Sequence, residues 1–205
     1  MSENDRKPFI RPVTLSDAQE LLNIYAYYVK NTAVTFECDV PSIDEFTSRI
    51  KHISENYPYL VAESDGKIVG YACTHPFVGR SAYSHSAETT IYIAPDERRS
   101  GAGKALYTAL EAVSKQQNII NLYACIAFLP EDSSDPYLTS DSVDFHAHFG
   151  YRIVGEFYKC GFKFNNWYTM VWMEKRLGKH ETNPPAMIPF PKLDAETLAD
   201  CGIQL

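Results

Sequence analysis

The chain has 205 residues, of which 45% are hydrophobic and 22% are charged. This composition is typical of folded globular domains and excludes a disordered, collagen-like or disulfide-scaffold protein. The formal net charge of −7 excludes a general binder of nucleic-acid phosphates, so we expect no nucleic-acid partner and only a local anion site.

The cysteines and the N-terminal residues bear on the cellular compartment. The five cysteines lie far apart, and none forms a C-x-x-C pair. An odd number of dispersed cysteines argues against a disulfide framework or a zinc ribbon and favours a reducing compartment. The N-terminal stretch MSENDRKPFIRP lacks the apolar core of a signal peptide, and no stretch approaches the roughly 18 apolar residues of a spanning helix. We therefore expect a cytoplasmic protein with no membrane partner.

The first half of the chain predicts a strand, two helices and a hairpin. Thr14 and Asp17 stand at capping-box spacing before an apolar stripe, and Ser42 and Glu45 repeat that spacing. An Asp-Gly pair at 65–66 separates two β-rich runs and is a strong hairpin signal. The predicted elements are a strand at 9–12, helices over about 14–30 and 42–53, and strands at 59–63 and 68–73.

The second half alternates strands with helices and ends in a tail. The predicted elements are strands at 89–93 and 121–127, a helix after residue 101, an acidic Ser-rich loop at 131–139, a helix at 142–149 stopped by Gly150, and strands at 151–162 and 167–175. Four prolines and little periodicity follow residue 178. We predict a single domain over 1–177 and a tail over 178–205 that packs on the surface or stays mobile. The fold class is α/β or α+β, with a mixed sheet flanked by helices.

The segment from residue 91 to residue 106 predicts an anion site. A strand that leads through a glycine-bearing turn into a helix aims backbone N–H groups at phosphate, and Arg99 and Lys104 add positive charge. A P-loop requires Ser or Thr where the chain has Ala105, and a dinucleotide fingerprint requires Gly where it has Leu106. These departures disfavour an ATPase and a dehydrogenase.

The turn also carries a family resemblance. RRSGAG at 98–103, following TTIYI, resembles the [Q/R]-x-x-G-x-[G/A] acetyl-CoA motif of the GNAT acyltransferase superfamily. The likeness runs from about residue 9 to residue 175. Stretches that resemble the phosphinothricin and methionine sulfoximine N-acetyltransferases within it are NTAVTFE at 31–37, AETTIYI at 87–93, LY at 106–107, HAHFGY at 146–151, and GFK at 161–163 with Trp167.

The resemblance implies a fold, a reaction and a set of cofactor contacts. It implies a mostly antiparallel sheet with a central splay, and transfer of an acetyl group from acetyl-CoA to the primary amine of a small amino-acid-like substrate by direct attack. It further implies that a bulge frees main-chain donors near residues 91–93. The implied cofactor-binding residues are Ile91, Tyr92, Ile93, Arg99, Ser100, Gly101, Ala102, Gly103, Lys104 and Ser142.

Two residues are candidates for proton transfer. An α-amino group with a pKa of about 8 is mostly protonated at neutral pH, so the reaction benefits from a positioned base. The resemblance places that base at Glu88, just before the predicted strand, and it implies that His146 is the acid for the departing thiolate or a polar group at the acetyl site. His146 and His148 have no third ligand at metal-binding spacing, so we expect no metal.

The substrate contacts implied by the resemblance are Phe36, Arg80 and Tyr83. An arginine guanidinium and a tyrosine hydroxyl can both donate hydrogen bonds to the anionic group of an amino-acid analogue. Three features depart from the family: the acidic loop at 131–139, Thr169 in place of an Asp, and Val78 in place of a basic residue. We interpret the acidic loop as favouring less anionic amines, an interpretation that deletion of the loop would test.

Other interpretations stay open at this point. The acceptor amine could belong to an antibiotic, a polyamine or a peptide N-terminus, or the chain could be a CoA-binding module without catalytic activity. The resembling enzymes are commonly homodimers, and we expect the terminal strands, with exposed aromatic residues such as Trp167 and Tyr168, to supply such an interface.

Overall fold

The computed structural model describes residues 8–130 and 133–205. The first seven residues of the N-terminal stretch, and Glu131 and Asp132 of the predicted acidic loop, lie outside the described residues. None of the helices in the described part of the chain combines the length and hydropathy needed to cross a membrane.

The described residues form a seven-stranded sheet with helices on both faces. The strands are β1 (Phe9–Pro12), β2 (Tyr59–Ser64), β3 (Lys67–Pro76), β4 (Ser86–Ile93), β5 (Asn121–Phe128), β6 (Arg152–Lys163) and β7 (Asn166–Arg176). The helices are α1 (Ala18–Asn31), α2 (Ile43–Ser54), α3 (Ala102–Gln116), α4 (Asp141–His148) and α5 (Ala195–Asp200). The strand order is β1-β2-β3-β4-β5-β7-β6, and only β4 and β5 pair in parallel. The predicted mixed, mostly antiparallel architecture is confirmed.

Helices α1 and α2 begin close to the capping residues from which the sequence predicted them. The Asp17 carboxylate accepts the Thr14 N–H at 2.7 Å, and a short 3₁₀ turn there leads into α1. The Ser42 hydroxyl accepts the Glu45 N–H at 3.2 Å at the start of α2. These bonds satisfy N–H groups that have no partner inside the helix.

The central splay is confirmed, but its expected cause is wrong. β4 and β5 pair only from Ser86 opposite Asn121 to Glu88 opposite Tyr123. Beyond that point β4 stays in unbroken register with β3, and β5 continues along β7, so the two strands separate without a bulge in β4. Glu88 also lies inside β4, because the strand begins three residues earlier than predicted.

The two faces of the sheet have separate cores. The α3 face is built around Leu106, Tyr107 and Leu110, and the opposite face packs aromatic residues of α1 against Tyr71 and Tyr92. Side chains alternate between the faces along each strand. In β4, Ala87 therefore belongs to the α3 core while its neighbour Glu88 lies on the α1 face.

The 178–205 segment packs against the main core. Phe190, Leu198 and Ile203 join the hydrophobic cluster of α3, and the Gln204 N–H donates to the carbonyl oxygen of Ile10 at 2.8 Å. The segment contains α5, which sequence periodicity did not predict; its N-terminal Asp194 accepts the Thr197 N–H. The domain boundary at residue 177 stays a prediction.

Candidate active site

A cavity of about 620 Å³ opens between the end of β4 and the N-terminus of α3. Its wall also includes α4 on one side and Tyr28 and Val34 on the α1 side, so it reaches both faces of the sheet where β4 and β5 diverge. The predicted cofactor residues that line this cavity are Ile91, Ile93, Arg99, Gly101, Gly103, Lys104 and Ser142.

The turn before α3 has the backbone of an anion site. Gly101 is the N-cap of α3 with φ of +91°, a conformation that side-chain-bearing residues rarely adopt. A Cβ on Gly103 would lie 3.3 Å from the Phe145 ring, so this glycine lets α3 approach α4 closely. The N–H groups of Gly103 and Lys104 have no partner inside the helix, and both residues line the cavity together with Arg99. This donor set fits the diphosphate of a CoA ester.

Three predicted cofactor residues, Tyr92, Ser100 and Ala102, do not line the cavity. The Ser100 hydroxyl accepts the Ala102 N–H at 3.3 Å, and Ala102 is buried. The Tyr92 ring lies on the opposite face of the sheet, where it packs 5.0 Å from the rings of Tyr25 and Tyr28. Only the main chain of Tyr92 is thus available to a cofactor, and the roles of all three residues stay predictions.

Sequence reasoning missed several residues of the cavity wall. Arg98 lines it, contacts the Tyr28 ring at 5.6 Å, and lies 3.9 Å from the Asp141 carboxylate. Phe145 and Phe149 supply an apolar wall from α4. Arg98 could have been predicted, because it is part of the RRSGAG motif. The two phenylalanines could not, because an apolar residue on a helix looks the same in the sequence whether it lines a cavity or packs in a core.

Glu88 lies at the last paired position before β4 and β5 separate. Its side chain is half-buried and has no hydrogen bond or ion pair within the described part of the chain. Burial raises the pKa of Glu88 to about 7, because the charged form loses hydration without gaining a partner. A carboxyl with this pKa exchanges protons readily at neutral pH.

His146 lies behind the cavity, not on its wall. Its Nδ1 lies 2.7 Å from the Ser142 carbonyl oxygen, which can only accept, so Nδ1 carries a proton. Nε2 then accepts the Tyr107 hydroxyl at 2.6 Å in the neutral ring, and burial lowers the pKa of His146 to about 4. The Tyr107 oxygen also lies 3.0 Å from Thr89 Oγ1, which donates to the Tyr123 carbonyl oxygen at 3.1 Å. This network reaches the divergence point of β4 and β5; the acid role of His146 stays a prediction.

The predicted substrate residues lie outside the cavity wall. Arg80 is exposed and precedes a short 3₁₀ turn that ends at Tyr83. The Tyr83 ring packs 5.4 Å from Phe77, which stacks at 4.3 Å on Tyr123, the residue opposite Glu88 in the sheet. Tyr83 is thereby connected to the Glu88 face through two aromatic rings.

Phe36 occupies a separate small cluster between the α1–α2 loop and the β6–β7 hairpin. Its ring lies 6.4 Å from that of Tyr168, and a Cβ placed on Gly161 would overlap it. Two main-chain carbonyls of the same loop, at Thr32 and Thr35, accept hydrogen bonds from the buried Lys163 ammonium. The substrate roles of Phe36, Arg80 and Tyr83 stay predictions.

The described part of the acidic loop, 133–139, is docked on the fold. The Asp135 carboxylate accepts the Tyr137 N–H at 2.8 Å and the Asn166 side-chain amide at 3.2 Å. The Ala33 N–H in turn donates to the Tyr137 carbonyl oxygen. The loop therefore joins the α1–α2 loop to the β6–β7 turn, and its last residue, Thr139, lines the cavity. Within the described residues, no group of three or more His, Cys, Asp or Glu side chains is arranged to hold a metal ion.

Comparison with known proteins identifies relatives of the chain. Residues 10–172 match the acetyltransferase (GNAT) domain family. A phosphinothricin N-acetyltransferase of Alcaligenes faecalis is 33% identical over 177 residues, which cover 86% of each chain. An L-methionine sulfoximine/L-methionine sulfone acetyltransferase of Pseudomonas aeruginosa is 26% identical over 177 residues, covering 85% of this chain and 98% of the relative.

A solved structure has the same architecture. The crystal structure of a GNAT superfamily phosphinothricin acetyltransferase from Sinorhizobium meliloti in complex with AcCoA superposes with a TM-score of 0.80. It is 28% identical, and the match covers 89% of this chain and 96% of that chain. The resemblance read from the RRSGAG turn is thus confirmed by the whole fold: the chain belongs to the GNAT family of acetyltransferases.

Proposed function

We propose that the chain transfers an acetyl group from acetyl-CoA to the primary amine of a small amino-acid-like compound, of the phosphinothricin or methionine sulfoximine kind. The GNAT family and the activities named for its relatives support this proposal. The observation that carries it is Glu88, a half-buried carboxyl with a pKa of about 7 placed three residues before Ile91 of the cavity wall.

The divergence of β4 and β5 explains how the two reactants meet. Ile91 and Ile93 line the cavity on the α3 side, whereas Glu88 lies on the α1 face. Beyond Glu88 the gap between the strands connects the two faces. An acyl donor held on the α3 side can therefore be attacked by an amine that Glu88 deprotonates on the other side.

Each residue group has a separate part in this reaction. Acetyl-CoA, when bound, supplies the activated acetyl thioester. The α3 N-terminus, Arg99 and Lys104 neutralise its diphosphate, and Gly101 keeps the path free of a side chain. Glu88 takes a proton from the substrate ammonium, so that the nitrogen lone pair becomes available for attack.

His146 and the aromatic residues complete the proposal. His146 is our candidate for the acid or polar group at the acetyl site, and because its unprotonated Nε2 accepts the Tyr107 hydroxyl, we propose that it acts as the polar group that orients that hydroxyl. Phe36, Arg80 and Tyr83 are the proposed substrate contacts. The links from Tyr83 through Phe77 to Tyr123 support a substrate position over the Glu88 face.

We further propose a cytoplasmic homodimer. All five cysteines are free, which agrees with a reducing compartment. β6 is an edge strand, and the rings of Phe162 and Trp167 pack 5.1 Å apart while both remain more than half exposed. Tyr158, on the same edge strand, is 73% exposed, and a second copy packed on this strand would remove these aromatic rings from water. The expectation that Tyr168 is exposed is wrong, because its ring is buried in the cluster with Ala33 and Leu138. Light scattering of the purified protein measures the oligomeric state directly.

Thiol release from acetyl-CoA tests the activity. The amine panel contains phosphinothricin, methionine sulfoximine, common amino acids, a polyamine and a peptide, and each is assayed with the wild type and with Glu88→Gln. We expect turnover of the glutamate analogues that falls about 100-fold or more in Glu88→Gln, with acetyl-CoA affinity retained. Binding of acetyl-CoA without turnover of any amine would instead indicate a CoA-binding module.

A further inference from the structure

His75 lies directly opposite Glu88 in the sheet. The antiparallel register of β3 and β4 pairs Cys73 with Thr90 and His75 with Glu88. Directly opposite residues point to the same face, with Cβ atoms about 4.5–5.5 Å apart. The hydroxyl oxygen of Thr89, next to Glu88, lies 3.0 Å from that of Tyr107 on α3, so the His75 and Glu88 side chains share the opposite, α1 face. The imidazole and the carboxyl are therefore near neighbours.

The His75 ring is held in its neutral form. A ring N–H bonds to the main chain of Pro76, and because proline has no N–H group, the acceptor is the Pro76 carbonyl oxygen. Nε2 lies 3.4 Å from the hydroxyl oxygen of Thr90. Burial lowers the pKa of His75, so one ring nitrogen is unprotonated at neutral pH and can accept a proton.

The other titratable groups around Glu88 cannot accept a proton at neutral pH. Cys73 on β3 and Cys125 on β5 couple electrostatically to Glu88, and burial raises the pKa of each thiol to about 12. Tyr123 on β5 is paired with Glu88, and burial raises its pKa as well. These three groups stay protonated, and no charged side chain in the described part of the chain shifts the pKa of Glu88.

We propose that His75 is the proton-relay partner of Glu88, a role that rests on Glu88 being the base of the proposed function. An N–H bond of the substrate ammonium breaks as an O–H bond forms on Glu88. The proton then passes through one bridging water from the Glu88 carboxyl to the unprotonated nitrogen of His75. The imidazolium releases it to solvent, which restores the Glu88 carboxylate for the next turnover.

The relay gives the Glu88 proton an acceptor on the neighbouring strand. Glu88 has no hydrogen-bond partner among the described residues, and His75 is its cross-strand neighbour, so the imidazole is a nearby acceptor for that proton. Burial raises the pKa of Glu88 to about 7 and lowers that of His75 below its usual value. Because its pKa is lowered, an imidazolium formed at His75 releases its proton readily to water.

The experiment compares His75→Gln with wild type in the acetyl-CoA assay with methionine sulfoximine. Gln keeps polarity and approximate size but takes up no proton at neutral pH. We expect kcat to fall about tenfold or more while the KM for acetyl-CoA changes less than about twofold. His52→Gln, on the exposed surface of α2, is the matched control and should leave both parameters unchanged.

A second readout separates a relay from a structural role. If His75 carries protons, the rate of His75→Gln should rise with the concentration of a small buffer base, and imidazole should partly restore His75→Ala. Wild type should show neither effect. A His75→Gln enzyme with wild-type kcat, or one that is slow but insensitive to both buffer and imidazole, would overturn the relay.

Glu88→Gln distinguishes this proposal from the proposed function. An active Glu88→Gln enzyme would remove Glu88 as the base, and the relay with it. An inactive Glu88→Gln enzyme alongside a fully active His75→Gln enzyme would overturn the relay alone. If His75→Ala does not fold, as judged by circular dichroism, the buffer dependence of His75→Gln decides the question.

Discussion

The Tyr107 hydroxyl lies 2.6 Å from Nε2 of His146, and both side chains are buried although they belong to different helices. The contact ties α4 to α3, and through Thr89 it ties both helices to the point where β4 and β5 part. A buried polar network of this kind is stable only when its partners are paired. This network should therefore affect the free energy of unfolding as well as the geometry of the site.

His146 should make stability depend on pH. Its pKa is about 4 in the folded protein and about 6.5 when unfolded. Between these values the unfolded state binds the additional proton, so the free energy of unfolding falls as pH falls from about 6.5 towards 4. The shift corresponds to a loss on the order of 3 kcal/mol. Urea unfolding of wild type and His146→Gln measures it: their difference should shrink between about pH 7.5 and 4.5, and a constant difference would contradict the prediction.

Glu88 should control the acidic limb of the rate profile. Because the carboxylate is the active form and the pKa of Glu88 is about 7, kcat/KM for the amine should fall about tenfold for each pH unit below that value. Glu88→Gln should lose this limb and keep the separate limb that belongs to the amine itself. Initial rates from about pH 5.5 to 9 are the measurement, and an identical limb in both proteins would assign it elsewhere.

Gly101→Val should weaken acetyl-CoA binding. A β-branched residue at φ of +91° strains the turn, and its side chain enters the space that the glycine leaves open at the cavity. We expect the KM for acetyl-CoA to rise about tenfold or more, equivalent to about 1.4 kcal/mol. Gly178→Val, at a glycine without positive φ and with open space around it, is the control. Equal acetyl-CoA affinity in the two variants would argue against the turn as the diphosphate site.

Gly161→Ala should displace Phe36. The added methyl group would overlap the Phe36 ring, so the ring and its loop must move. Since Phe36 is a proposed substrate contact and does not line the cofactor cavity, the KM for the amine should rise severalfold with the KM for acetyl-CoA unchanged. Gly155→Ala on the same strand has open space and serves as the control. Unchanged amine kinetics would remove Phe36 from the substrate site.

Ile203→Ala should destabilise the whole domain. Ile203 is 1% exposed and belongs to the same cluster as the α3 core. Truncating a buried Ile costs about 2–5 kcal/mol through lost burial and the cavity left behind. Leu205→Ala, at a residue that is 80% exposed, should change the free energy of unfolding by less than about 0.5 kcal/mol. Equal urea midpoints for the two variants would mean that the 178–205 segment folds independently of the core.

Local patterns in the sequence were enough to predict much of this protein. The Thr14/Asp17 and Ser42/Glu45 spacings place helix starts, and the Asp-Gly pair places the β2–β3 hairpin, because each depends on bonds between residues a few positions apart. The glycines of the RRSGAG turn are also local signals, and the turn lines the cavity where the anion site is predicted.

Strand register, burial and core contacts between distant residues could be known only from the tertiary structure. The pairing of His75 with Glu88 is set by strand register, and the burial that moves the pKa values of Glu88 and His146 is set by packing of distant elements. Ile203 joins the core by the same kind of long-range contact. Local spacing encodes hydrogen bonds between near neighbours, whereas register and desolvation arise only when separate segments pack together.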